Sequence, residues 1–128
     1  MDFLLDTSAF IWSVWEDKKL STKACDCYSD EKNRIFLSLV SVWEMTIKYQ
    51  IGKLSFKDSP ENWIENFCKE RKIEFLPVNL NDVFTLNNLP LIHKDPFDRM
   101  LVSQAIANDM TMLTNDNLIT QYDVKTIW

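Results

Sequence analysis

Four acidic residues sit where a sheet protein does its chemistry: Asp6, Glu44, Asp98 and Asp116. Asp6 follows the apolar run Phe3-Leu4-Leu5, and Glu44 falls in the first turn of a helix expected after Ile35-Phe36-Leu37. Asp98 falls in the first turn of a helix opened by Asp95-Pro96, and Asp116 follows Met112-Leu113-Thr114. Each acid alone has a plain structural explanation. Ser41 and Glu44 have the spacing of a capping box, in which a Ser and a Glu satisfy each other's backbone donors. Asp95 and Asp98 suit the positive end of a helix. Asp6 can close a turn, and Asp116 can cap a short helix. Together they ask for more. In open parallel sheets ligands bind at the carboxyl ends of the strands. Three of these acids follow strands, and Asp98 joins them if its helix starts at the same edge. Carboxylates gathered there repel one another, and burial makes the repulsion worse. Such a cluster calls for a cation. An oxygen-only set without Cys or clustered His suits Mg²⁺ or Mn²⁺. Such an ion polarises a phosphoryl oxygen and lowers the pKa of a bound water.

The elements that must position these acids are legible from periodicity. Strands are expected at Phe3 to Leu5, Ile35 to Leu37, Ile73 to Val78, Met112 to Thr114 and Val124 to Trp128. Pro77 marks the third as an edge or a strand end. Between them lie helical patterns. Thr7 or Ser8 caps one with Phe10, Ile11, Val14 and Trp15 on its apolar stripe. Ser21 opens a second, through about Ser29. Ser41 opens a third, and Gly52 suits its left-handed C-terminal cap. Ser59-Pro60 opens a fourth. Asn81 or Asp82 opens a short one, and Asp95-Pro96 opens the last long one. Strand and helix alternate throughout, which argues for an α/β chain with a parallel sheet covered on both faces. The 128 residues make one domain, 1–128, with no repeat and no linker.

Composition excludes several functions. Hydrophobic residues make up 46% of the chain and charged residues 26%, which is the balance of a folded domain. The single glycine, Gly52, rules out a P-loop or a dinucleotide fingerprint, which need several. The single histidine, His93, and the lack of a Gly-x-Ser-x-Gly elbow argue against a Ser-His-Asp hydrolase. The net charge of −5 argues against a general nucleic-acid coat protein, though not against an enzyme whose metal offsets phosphate charge. Cys25, Cys27 and Cys68 are odd in number and lack zinc spacing, so they are expected as reduced thiols. No apolar run approaches a membrane span, and the opening Met1 to Asp6 has no basic stretch, so a cytoplasmic protein is expected.

Four blocks carry a resemblance. Leu4-Leu5-Asp6-Thr7-Ser8-Ala9-Phe10-Ile11-Trp12 resembles the opening of the PIN-domain toxins of bacterial toxin–antitoxin pairs, the VapC-like group. Ser41 to Lys48 with Gly52-Lys53-Leu54, then His93 to Leu101, then Leu113 to Asp116 resemble their later blocks, in the same order and over essentially the whole chain. The resemblance implies a three-layer α/β/α fold with a central parallel sheet. It implies Mg²⁺- or Mn²⁺-dependent endonucleolytic cleavage of RNA, often in a structured tRNA or rRNA loop. It implies a small antitoxin that occupies the active-site groove, and allows a homodimer. Asp6, Glu44, Asp98 and Asp116 match the family's metal-binding acids. Ser8 and Asn115 depart from the His and Ala of many relatives, and neither change removes a carboxylate.

Further residues have two readings each. Arg99 either contacts substrate phosphate or pairs with a nearby acid. Lys48 and Lys53 either line an RNA path or are solvated lysines. Thr7 and Thr114 either bond metal-bound water or cap. His93 is expected as a polar loop residue, and Trp12, Trp15, Trp43 and Trp63 as core. Two other functions compete. A phosphatase using a strand-end Asp nucleophile wants a second Asp two residues on, where this chain has Ser8. A non-catalytic binding module on the same fold would have lost an acid, and all four are present.

Overall fold

The computed structural model describes residues 1–128. The apolar runs of the sequence pair as strands β1 (Asp2–Leu5), β2 (Arg34–Ser38), β3 (Ile73–Leu76), β4 (Thr111–Leu113) and β5 (Thr126–Ile127). They form one sheet in the order β3-β2-β1-β4-β5, and every neighbouring pair is parallel. Six helices connect them: α1 (Thr7–Trp15), α2 (Thr22–Ser29), α3 (Leu39–Gln50), α4 (Pro60–Glu70), α5 (Leu80–Thr85) and α6 (Pro96–Ala107).

Alternation along the strands divides the core in two. Phe3, Leu5, Ile35 and Leu37 pack with Ala9 and Phe10 of α1, Met45 of α3, and Ile64 and Cys68 of α4. Leu4, Phe36 and Met112 point the other way, against Leu101, Val102 and Ala105 of α6. Successive strand residues face opposite sides, so the central strands, buried on both faces, read as unbroken apolar runs. Each fully buried Leu or Phe contributes about 1.5–3 kcal/mol relative to exposure. The expected layering of helix, parallel sheet and helix is therefore what forms.

Chain order explains where a site can open. The chain steps outward from β1 to β2 to β3, then returns to the far side of β1 as β4. Connections leave β1 and β4 toward opposite faces, and a crevice opens above their carboxyl ends. The two junctions there carry Asp6 and Asp116.

Several boundaries differ from expectation, for physical reasons. Helix α3 begins at Leu39, not Ser41, because Ser38 ends β2 and caps the helix at once through the Val40 amide. The Ser41–Glu44 capping box therefore does not form. The capping box that does form is Asn79 with Asp82, so α5 opens two or three residues before the expected Asn81 or Asp82. Helix α1 is capped by Asp6 itself rather than by Thr7 or Ser8. With α3 starting earlier, Val40, Ser41 and Met45 face inward and Trp43 is 60% exposed. Trp43 is thus not core, and Trp15 is also exposed. Gly52 does hold a left-handed turn after α3, with φ of 77°. The three cysteines are free thiols.

Candidate active site

Asp6 follows β1 directly and is buried. Its amide donates to the Leu113 carbonyl, extending the β1–β4 ladder by one rung. Its Oδ1 accepts from the Ala9 amide at 2.6 Å, and its Oδ2 accepts from the hydroxyl of Thr114, just past β4. The same residue therefore caps α1 and reaches across to the next strand. Thr114 also accepts from the Asp116 amide at 3.1 Å, which fixes the turn that presents the fourth acid.

Glu44 is brought alongside by α3. Thr7 Oγ1 donates to Glu44 Oε1 at 2.8 Å and lies 2.9 Å from Ser41 Oγ. Lys48, one turn further along α3, places Nζ 3.1 Å from Glu44 Oε2. Ser41 is wholly buried. It supports Thr7 from behind, a role the capping-box reading missed.

Asp98 arrives on the first turn of α6, whose cap Asp95 accepts from the Phe97 and Asp98 amides. Asp116 accepts from the Leu118 and Ile119 amides. Between Asp98 and Asp116 stands His93. Its Nε2 is 3.0 Å from Asp116 Oδ2 and 3.1 Å from Asp98 Oδ2. One ligand atom from each of these three residues falls within 4.8 Å of the others.

The electrostatics show what the cluster lacks. Burial pushes the Asp98 carboxyl up to about 7, helped by the charge of Asp95 and, beyond the opposing pull of His93, by Glu44 and Asp6. Burial raises Asp6 to about 6, against the Thr114 and Ala9 hydrogen bonds and with the charges of Asp116 and Glu44. Asp116 is the exception. Burial pushes it up too, but the His93 hydrogen bond and the Leu118 and Ile119 amides outweigh that and hold it low. Asp6 thus feels the charges of Asp116 and Glu44, Asp98 feels those of Glu44 and Asp6, and Asp6 and Asp98 are held reluctant to ionise. An all-carboxylate set that suffers from its own negative charge fits a hard divalent cation.

Other expected residues find different places. Arg99 touches no acid; Nη1 donates to the Pro90 carbonyl at 2.8 Å and to Tyr122 Oη at 3.0 Å, so it braces a loop. Lys53 is exposed beyond the end of α3. His93, expected as an ordinary loop residue, is the one that sequence reasoning undervalued. Its signal was its place five residues before Asp98, in a loop whose course spacing does not predict.

Fold and site together define a parallel α/β domain with acidic residues clustered near the switch point of its sheet. The chain belongs to the PIN-domain family, whose model, described as "PIN domain", matches residues 3–125. Among solved structures it is similar to VapBC2 from Rickettsia felis bound to a DNA fragment from its promoter, with a TM-score of 0.74 and 17% identity over 99% of this chain and 98% of that one. It is similar to VapBC-1 from nontypeable Haemophilus influenzae, with a TM-score of 0.70 and 16% identity over 99% and 97%. FitAcB from Neisseria gonorrhoeae matches at a TM-score of 0.55 and 16% identity over 98% and 96%. No curated protein sequence matches the chain.

Proposed function

We propose that this PIN domain, acting as one unit over residues 1–128, is a Mg²⁺- or Mn²⁺-dependent endoribonuclease and the toxin of a toxin–antitoxin pair. The observation that carries the reading is the electrostatic coupling of Asp6 with Asp116 and Glu44 and of Asp98 with Glu44 and Asp6, with Asp6 and Asp98 pushed up by burial and by these neighbours. A divalent ion bound there supplies a polarised phosphoryl oxygen and a water of lowered pKa. The four acids hold it. Thr114 and Thr7 aim Asp6 and Glu44 through their hydroxyls. Lys48, only partly buried beside Glu44, is the cation best placed to meet a substrate phosphate.

A chain of net charge −5 has no broad basic surface with which to hold RNA. Recognition then favours one exposed loop, such as a tRNA or rRNA loop, whose bases splay out. Two protein partners suit the same reading in the cytoplasm. A small antitoxin would fill the acidic groove, as befits a fold shared with VapBC complexes. The reading also allows a homodimer, and an apolar groove of about 590 Å³ lined by Leu39, Trp43, Val78 and Phe97 is open to a second copy. No helix is long and apolar enough to cross a membrane.

The test is cleavage of labelled tRNA and rRNA stem-loops with Mn²⁺ or Mg²⁺, then with excess chelator. Discrete cuts that appear with the ion and stop with chelator are expected. RNA that is bound but never cut would favour a binding module, and cutting in chelator would remove the metal from the account.

A further inference from the structure

The four acids are not held alike. Asp6 accepts from Ala9 and Thr114, Glu44 from Thr7, and Asp116 from two amides of its own turn. The Asp98 carboxylate accepts no such bond. Its one close polar contact is Nε2 of His93 at 3.1 Å, and the same nitrogen bonds Asp116 at 3.0 Å.

The second ring nitrogen decides what His93 can do. Nδ1 accepts from the Asp95 amide at 3.1 Å. A neutral imidazole has one N–H and one lone pair. With the lone pair taken at Nδ1, the proton sits on Nε2, which can then donate but cannot ligate. Ligating histidines show the reverse arrangement, giving their second N–H to an acceptor. The ring is also fixed from behind. The His93 amide donates to Tyr122 Oη at 2.8 Å, and Arg99 donates to that same oxygen and to the Pro90 carbonyl.

We propose that His93 is a positioning residue: its Nε2–H, set in that tautomer by Asp95 and held in place by Tyr122 and Arg99, keeps Asp116 beside Asp98 at the spacing a divalent ion needs. The ring touches neither the ion nor the RNA. The inference rests on the metal-dependent reading above.

The experiment measures Mn²⁺ binding to the wild-type protein, His93→Ala, His93→Gln and Tyr122→Phe by loss of the free-ion resonance signal. Mg²⁺ competition and melting temperature in chelator are measured beside it. His93→Ala is expected to bind Mn²⁺ about 10–100-fold more weakly, the usual effect of losing such a supporting group. Its ratio of Mn²⁺ to Mg²⁺ affinity should stay level, because no ligand is lost. His93→Gln, which retains an N–H donor, should recover most of the affinity. Tyr122→Phe, which leaves ring and acids intact, should weaken binding in the same direction. Should His93→Ala fail to fold, the Gln and Phe variants carry the test. Binding as tight or tighter in His93→Ala overturns the proposal, since the ring would then compete with the ion. A selective loss of Mn²⁺ that Gln does not rescue also overturns it, because it makes His93 a ligand. A wild-type protein that binds neither ion refutes the metal reading itself, and this inference with it.

Discussion

The hydroxyl of Thr114 donates to Oδ2 of Asp6, joining two residues 108 positions apart in the chain and tying the end of β4 to the end of β1. This bond crosses the switch point of the sheet, and Thr114 also accepts from the Asp116 amide. Thr114→Val keeps the side-chain shape and removes both bonds. A buried carboxylate left short of a donor costs about 1.5–3 kcal/mol. Urea unfolding near neutral pH should show a loss of that size, and metal binding should weaken with it. An unchanged midpoint would mean that Asp6 does not depend on Thr114.

The raised acids set a pH trend. Asp98 near 7 and Asp6 near 6 both lie above the ordinary value of 3.8. The folded state therefore holds these protons more tightly than the unfolded chain does. Their unfavourable contribution is absent below the ordinary value and complete above the folded one, so stability falls as pH rises through that window. Asp116, held low, works in the opposite sense, but only at pH below the ordinary carboxylate range. In chelator the melting temperature should be lower at about pH 7 than at about pH 5. Mn²⁺ bound by the ionised acids, as proposed, should flatten or reverse the trend. A melting temperature that climbs over that interval without metal would contradict the assignment.

Asp98→Asn separates a metal ligand from a helix-end acid. The amide oxygen can still face His93, and the loss of helix-dipole interaction is at most about 0.3–1 kcal/mol. One charge leaves a self-repelling cluster, so stability in chelator should hold or rise. Cleavage should fall by orders of magnitude, because an amide is a poor ligand for a hard cation. Glu44→Gln should behave likewise. Melting curves and cleavage rates with and without Mn²⁺ measure both effects. A variant that melts lower yet still cuts would reduce these acids to structural roles.

Trp43 offers a test of self-association. It is 60% exposed, and its ring meets Phe97 edge-on at 4.9 Å beside the apolar groove. Trp43→Ser forfeits about 0.5–1.5 kcal/mol of that ring pairing within the monomer. Sedimentation of the wild-type protein should show a dimer that this change weakens. A wild-type monomer at high concentration would exclude the second copy as the groove's occupant.

Much of this architecture was legible in the sequence because it rests on local patterns. The apolar runs of β1, β2 and β4 marked buried parallel strands, and Asp95-Pro96 marked the start of α6. Asp6 and Asp116 lie just past β1 and β4 and Asp98 in the first turn of α6, as their places in the sequence suggested, whereas Glu44 lies in the second turn of α3 instead of the first. What stayed hidden depends on contacts across the fold. Ser41 has the spacing of a cap, and only the direct passage from Ser38 into α3 turns it inward to Thr7. Trp43, expected in the core, lies on the exposed face of α3, because Val40, Ser41 and Met45 take the inward one. His93 gave no periodic signal, because a loop braced by Arg99 and Tyr122 carries it to the acids.

The most direct test of the central claim is the chemistry of the cut ends. A site that activates water places the new oxygen on phosphorus and breaks the bond to the ribose 3′-oxygen, which takes up a proton, leaving a 5′-phosphate and a 3′-hydroxyl. End-group analysis of RNA cut in Mn²⁺ by the wild-type protein should find those termini, and Asp98→Asn should yield almost none. Products ending in a 2′,3′-cyclic phosphate would contradict the account, because they mean that the RNA's own 2′-hydroxyl attacked.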